Sequence, residues 1–210
     1  LNEGLYDPGI FKAFFLAGGP GSGKSFVTAS AFAGTGLKLV NSDIKFERDL
    51  KKAGLSMKMP DEEEYFRNII RQRAKYIEGR LGLVIDSTGR DYDMIARQHN
   101  QLKQIGYDTY MVFVNTSLDV ALARNARRER TIPEYITTAS WNGVQSNIGK
   151  FQRLFGMSNF LVVDNNKSDL ELTTLTMNRV SKVVRKLISA PIQSYTAKRW
   201  MASERKARRR

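Results

Sequence analysis

The run Gly18-Gly19-Pro20-Gly21-Ser22-Gly23-Lys24-Ser25 limits the folds open to this chain more sharply than any other stretch. It fits G-x-x-x-x-G-K-[ST], a strand-to-helix turn shaped for polyphosphate. Glycines let backbone N–H groups face inward, and the following helix N-terminus adds partial positive charge behind them. By residue type, Gly18, Gly19, Pro20, Gly21, Ser22 and Gly23 form the cradle. Lys24 reaches the β- and γ-phosphates of a nucleotide such as ATP, and the Ser25 hydroxyl takes Mg²⁺. A glycine-rich turn can match the pattern by chance, so the flanks decide. Ala13 to Ala17 is an apolar run of buried-strand type, and Phe26 to Phe32 contains no helix breaker. Strand, loop and helix in that order are the context the motif requires.

The rest of the chain repeats this alternation. Short apolar runs at Ala13–Ala17, Lys38–Asn41, Leu81–Asp86, Thr109–Asn115 and Phe160–Asp164 are separated by amphipathic stretches. That rhythm predicts βα units and a parallel sheet of five strands between helical layers. Asp61 to Glu78 has acids in its first turn, helically spaced Phe66, Ile69, Ile70 and Ile77, and a stop at Gly79. Asp91 to Ile105 follows the same scheme, with Asp91 as N-cap and Gly106 as stop. Leu170 to Ile188 carries Leu172, Leu175, Val180, Val183, Val184 and Leu187 on one side, which reads as a core-packing helix. His99 reads as a surface or boundary residue, and Trp141 and Phe151 as core packing.

A chain of 210 residues suits one sizeable core. We expect a nucleotide-binding domain over 1–190 and a basic extension over 191–210, with Trp200 and Met201 as its packing anchors. With no cysteine, a disulfide frame and a thiolate metal site are excluded, a single histidine argues against a zinc site, and a cytoplasmic location fits. The apolar runs are too short to span a bilayer. No signal-peptide pattern is visible, and a chain opening on Leu1 is expected to have lost its true beginning. The net charge of +13 is unevenly placed: Arg179 to Arg210 carries net +10, which leaves +3 for the other 178 residues. Such a tail can bind nucleic acid, with Tyr195 and Trp200 as stacking groups, or anionic lipid or an acidic partner; it can equally be a solvated end. A monomer or weak oligomer is expected.

A phosphate loop alone does not name a reaction. In an open parallel sheet, ligands gather at the carboxyl ends of the strands, so the other strand ends matter. After the second strand comes Asn41-Ser42-Asp43, where a carboxylate would lie near the γ-phosphate and accept a proton from an attacking hydroxyl. Asp43 can also cap a following helix. Asp86 closes the third strand in the manner of a Mg²⁺-holding carboxylate, or orients the acceptor. Arg124, Arg127 and Arg128 belong to an arginine-rich run before Thr131-Ile132-Pro133, either a lid over a transferring phosphoryl group or a solvated basic face.

Together these stretches resemble the P-loop kinases of the zeta-toxin and phage polynucleotide-kinase type. The resemblance rests on Gly18–Ser25, Asn41-Ser42-Asp43, Ile85-Asp86-Ser87-Thr88-Gly89-Arg90, Gly106-Tyr107, and Arg124–Arg130 followed by Pro133, and it covers about Phe11 to Asn166. It implies a three-layer α/β fold with an arginine lid, and transfer of the ATP γ-phosphoryl to a hydroxyl. Asp43 matches the family's base, Arg128 or Arg124 its lid arginines, and Thr88 and Arg90 the positions facing the acceptor. Phe46 stands where the phage polynucleotide kinases carry an acceptor-binding arginine, and Arg48 is the nearest substitute. The acceptor is therefore open among a nucleic-acid 5′ end, a nucleotide and a nucleotide sugar.

Two rival readings follow from shorter patterns. Asp86-Ser87-Thr88-Gly89 fits D-x-x-G and Asn166-Lys167-Ser168-Asp169 fits N-K-x-D, the signatures of a GTPase that releases free phosphate. The basic tail suits a nucleic-acid or assembly protein that holds nucleotide only as a ligand.

Overall fold

The computed structural model describes residues 4–41, 72, 74–127, 131–166 and 170–209. Its frame is a five-stranded, all-parallel sheet in the order β2-β3-β1-β4-β5. The strands are β1 Lys12–Ala17, β2 Lys38–Asn41, β3 Leu83–Asp86, β4 Asp108–Asn115 and β5 Phe160–Asp164. The helices are α1 Lys24–Ala31, α2 Tyr92–Gln104, α3 Leu118–Ala126, α4 Glu134–Gln145, α5 Ile148–Phe155, α6 Leu170–Ser189 and α7 Tyr195–Ala207. Of the expected helix over Asp61 to Glu78, residues 72 and 74–78 are helical, and 61–71 and 73 lie outside the described residues.

Every residue of β1 is buried, as a central strand covered on both faces must be. The two-residue pleat then sorts its side chains. Phe14 and Leu16 join Val84, Tyr110, Val112 and Val114 in a core closed by α1 and α6. Ala13, Phe15 and Ala17 join Leu83, Ile85, Met111 and Phe113 in a second core, closed by Ile95 and Leu102 of α2, Phe151 and Phe155 of α5, and Ala197 of α7. Three layers result.

The strand limits differ from the apolar runs by a residue or two, and chemistry explains one shift. Both β1 and β4 begin one residue earlier than their apolar stretches, at Lys12 and Asp108, which are register partners. Lys12 is 1 % exposed, and its ammonium donates to the Asp108 carboxylate at 2.8 Å. A desolvated charge is tolerated when it is paired, so a lysine and an aspartate open two buried strands.

Two expectations need correction. His99 is no surface residue. It is 7 % exposed, with Nδ1 3.1 Å from the Thr109 hydroxyl and its ring edge-on to Phe155. Burial, helped by nearby Lys103, lowers its pKa to about 4. A single histidine on an amphipathic helix cannot reveal from sequence that a threonine on β4 faces it. The stripe on α6 is also only partly core: Val180 and Val184 are buried, but Leu172, Leu175 and Val183 are 41 %, 48 % and 38 % exposed. They flank a cleft of about 420 Å³ beside β5, the strand at one edge of the sheet.

Helix termini follow the sequence more closely. Asp91 caps α2, its carboxylate accepting from Met94 N at 3.0 Å. Gly106 ends it at φ +106°, where a Cβ would stand 2.9 Å from the backbone nitrogen of Ala197. α7 thus seats directly on the turn before β4. Trp200 packs edge-on against Phe11 and lies under the Arg80 guanidinium, so it is an anchor and not a stacking platform. No helix among the described residues is long and apolar enough to cross a membrane.

Candidate phosphate-binding site

The loop between β1 and α1 is drawn tight around its own backbone. A Cβ at Gly18 would fall 2.7 Å from Val114 O, and one at Gly21 (φ +79°) would fall 2.4 Å from Ala121 O. The turn therefore demands glycine at both positions. Gly23, the N-cap of α1, sits at φ +89° with no side-chain cap, and the first turn of the helix holds no acid. The leading N–H groups of α1 and its positive dipole end are left for an anion. Lys24 Nζ lies 2.7 Å from Gly18 O, folded back across the loop. The buried Ser22 hydroxyl has no hydrogen-bond partner among the described residues. A cradle that excludes Cβ atoms, an uncapped helix and an orphaned hydroxyl together fit the phosphates of a nucleotide.

The sheet brings the third strand end to the same place. Asp86 pairs in register with Leu16 of β1 and with Asn41 of β2, so its carboxylate stands level with the start of the loop. Beyond it the chain stays clipped to the loop: Ser87 N donates to Leu16 O at 3.1 Å, and Gly18 N donates to Thr88 O at 3.0 Å. Thr88 is buried and Arg90 exposed. No cluster of three or more His, Cys, Asp or Glu side chains exists among the described residues. A divalent ion here would rest on Ser25 and Asp86 with phosphate and water oxygens, the ligand set Mg²⁺ accepts.

Arg124, on the last turn of α3, reaches back to the cradle, with Nη1 3.5 Å from Gly21 O. Burial lowers the pKa of its guanidinium, which nevertheless stays charged at any working pH. Arg127, the C-cap of α3, is exposed. Asp43, Arg48 and Arg128 lie outside the described residues.

Four residues hold this end of the sheet together; the three asparagines carried no signal in the sequence, and Trp141, expected as core packing, is only partly buried. Asn165 donates to Ser22 O at 2.7 Å and ties the segment after β5 to the phosphate loop. Asn147 donates from one amide nitrogen to Gly89 O at 3.1 Å and to Arg90 O at 3.0 Å. Asn125 makes a two-way clasp, donating to Ile132 O at 2.5 Å and accepting from Ile132 N at 3.1 Å. Trp141 donates to Thr116 O at 2.8 Å, and its Cα would stand 3.5 Å from a Cβ at Gly19. Buried amides are usually satisfied this way, but which carbonyl each one meets is set only by the folded chain. Asn166, from the N-K-x-D match, accepts from Ser117 N and donates to Asp164 Oδ1, both at 2.6 Å.

With this geometry in hand, comparison with known proteins places the chain. It belongs to the AAA domain family AAA_33, whose model matches residues 14–151. Its fold is that of the three-layer P-loop kinases. A gluconokinase from Sinorhizobium meliloti 1021 superposes with a TM-score of 0.52 at 12 % identity, over 86 % of this chain and 93 % of that one. A protein from Chloroflexus aurantiacus j-10-fl described as a kinase superposes with a TM-score of 0.54 at 19 % identity, over 83 % and 97 %. No curated protein matches the sequence.

Proposed function

We propose that this protein is an ATP- and Mg²⁺-dependent kinase that moves the γ-phosphoryl group to a hydroxyl of a nucleic-acid 5′ end, a nucleotide or a nucleotide sugar. The observation that carries the reading is convergence. Lys24, Arg124, Asp86 and the Thr88–Arg90 loop all meet the Gly18–Ser25 cradle at one end of the sheet. A gluconokinase sharing this fold supports phosphoryl transfer to a hydroxyl. The resemblance of the motifs to zeta-toxin and phage polynucleotide kinases supports the narrower acceptor classes.

In this reading the acceptor oxygen bonds to the γ-phosphorus as the bond to the β–γ bridging oxygen breaks. ADP leaves with that electron pair, and the hydroxyl proton passes to the Asp43 carboxylate. Backbone N–H groups of residues 19–25 hold the phosphates, and Lys24 and Arg124 balance charge as it shifts between them. A Mg²⁺ held by Ser25 and Asp86 would supply further neutralisation of the phosphate oxygens. In this reading Arg127 and Arg128 would serve as further cations for the transferring phosphoryl group, and Thr88, Arg90 and Arg48 would recognise the acceptor.

The test offers γ-labelled ATP with 5′-hydroxyl DNA, 5′-hydroxyl RNA, nucleosides and nucleotide sugars. Label on one of these acceptors supports the proposal and names the substrate. Label released only as free phosphate, with GTP preferred over ATP, would replace it with the GTPase reading.

A further inference from the structure

We propose that the outward face of α7 is a docking track for the backbone of single-stranded nucleic acid, set at the opposite end of the sheet from the phosphate loop. The helix divides cleanly by spacing. Ala197, Trp200, Met201, Glu204 and Arg208 recur at helical intervals and turn toward the body. Ala197 is fully buried, Trp200 and Met201 pack on the core, and Arg208 lies over the Tyr6 ring. On the other side stand Lys198, Arg199, Arg205, Lys206 and Arg209, all exposed, with exposed Ala202 and Tyr195 among them. No carboxylate among the described residues pairs with any of these five cations; the one acid of the helix, Glu204, stands on the inner side, 4.0 Å from Arg208.

The chemistry of this stripe selects its partner. Lys198 to Lys206 spans about 12 Å along the helix axis, enough to follow a few consecutive phosphates of one strand. Tyr195 is 77 % exposed and supplies a ring on which a base can stack. An anionic membrane is the weaker fit. A helix lying in a bilayer interface inserts a broad apolar face, whereas Ala197, Trp200 and Met201 of α7 are already spent on the core. The seat is firm, because Trp200 contacts Phe11 and Gly106 lies against Ala197. Both contacts are at the amino ends of β1 and β4, whereas the phosphate loop follows the carboxyl end of β1. A bound strand is therefore held about 20 Å or more from the site of transfer, the length of a six-residue strand. The track adds affinity for nucleic acid whichever hydroxyl is phosphorylated.

The experiment measures fluorescence anisotropy of a labelled 20-nucleotide DNA that already carries a 5′-phosphate, so that binding is read apart from phosphorylation. The full chain is titrated from 50 to 300 mM salt, beside the K198E/R205E/R209E variant and a Tyr195→Ala variant. Binding by the wild-type chain should weaken steeply with salt. The triple variant should lose at least tenfold in affinity and flatten the log–log salt slope by about 2, at about 0.7 per phosphate contact. ATP binding and thermal stability should be unchanged, since all three cations face away from the body. Tyr195→Ala should cost severalfold in affinity with the slope kept. Equal binding by wild type and triple variant overturns the proposal. So does capture of the wild type by phosphatidylcholine vesicles containing 30 % phosphatidylserine with no binding to the oligonucleotide. A failed acceptor screen leaves this result untouched, and the reverse also holds.

Discussion

At the scale of single residues, the two charges proposed for opposite halves of the reaction separate cleanly in their expected effects. Asp43→Asn removes only the proton acceptor, so turnover should fall by at least a hundredfold while ATP affinity, read by nucleotide titration, stays within about twofold. Lys24→Ala removes a cation that holds phosphate before and during transfer, so both affinity and turnover should fall. Full turnover by the Asp43 variant would discard the base assignment. His99 makes a prediction about pH. Its folded pKa of about 4 lies below the value of about 6.5 in an unfolded chain, so the unfolded state binds the proton more readily. Its contribution is fully present above pH 6.5 and is lost as pH falls toward 4, on the order of 2 kcal/mol. Urea unfolding of wild type and His99→Gln at pH 7 and pH 4.5 checks this: the variant should lose less stability between the two.

Among elements, the buried amides matter more than their number suggests. Asn147, at the junction of α4 and α5, holds the backbone of Gly89 and Arg90 through its side-chain amide. Asn147→Leu removes a donor from two carbonyls, a cost of about 1–3 kcal/mol, and loosens the loop proposed to face the acceptor. The Michaelis constant for the acceptor should rise severalfold while that for ATP holds. Equal changes in both constants would mean that Asn147 only supports the fold. Asn165 provides the contrast, because it holds Ser22 of the phosphate loop itself.

For the molecule as a whole, the two ends of the sheet are separate provinces. The proposed phosphate chemistry lies where the strands finish, and α7 closes the ends where β1 and β4 begin. Trp200→Ala should therefore lower stability by about 2–3 kcal/mol, since the indole is half-buried against Phe11, yet leave ATP affinity unchanged in the folded protein. Thermal unfolding with nucleotide titration below the transition reads both. A matching loss of ATP affinity would show that the two ends are coupled.

The five strands, their parallel arrangement and the phosphate loop were legible along the chain because each rests on local chemistry. Apolar runs of four to six residues cannot stay in water, and glycines at fixed spacing permit a turn that no other residue enters. The foot of the sheet was legible only in part, since Lys12 and Asp108 look like surface residues until their register pairs them. The site beyond the loop divides the same way. Arg124 could be nominated by its charge, but its reach to Gly21 needed α3 laid against the cradle. Asn125, Asn147 and Asn165 had no signature and Trp141 was read only as core packing, because an amide or an indole acquires a role only from the carbonyl it meets. His99 and the exposed half of α6 follow the same rule. Periodicity tells which side of a helix is apolar, and only packing tells how much of that side finds a partner. By itself the sequence determined the five strands and the glycine turn after the first of them; the tertiary structure decided what holds the strand ends together, because those contacts join residues far apart in the chain.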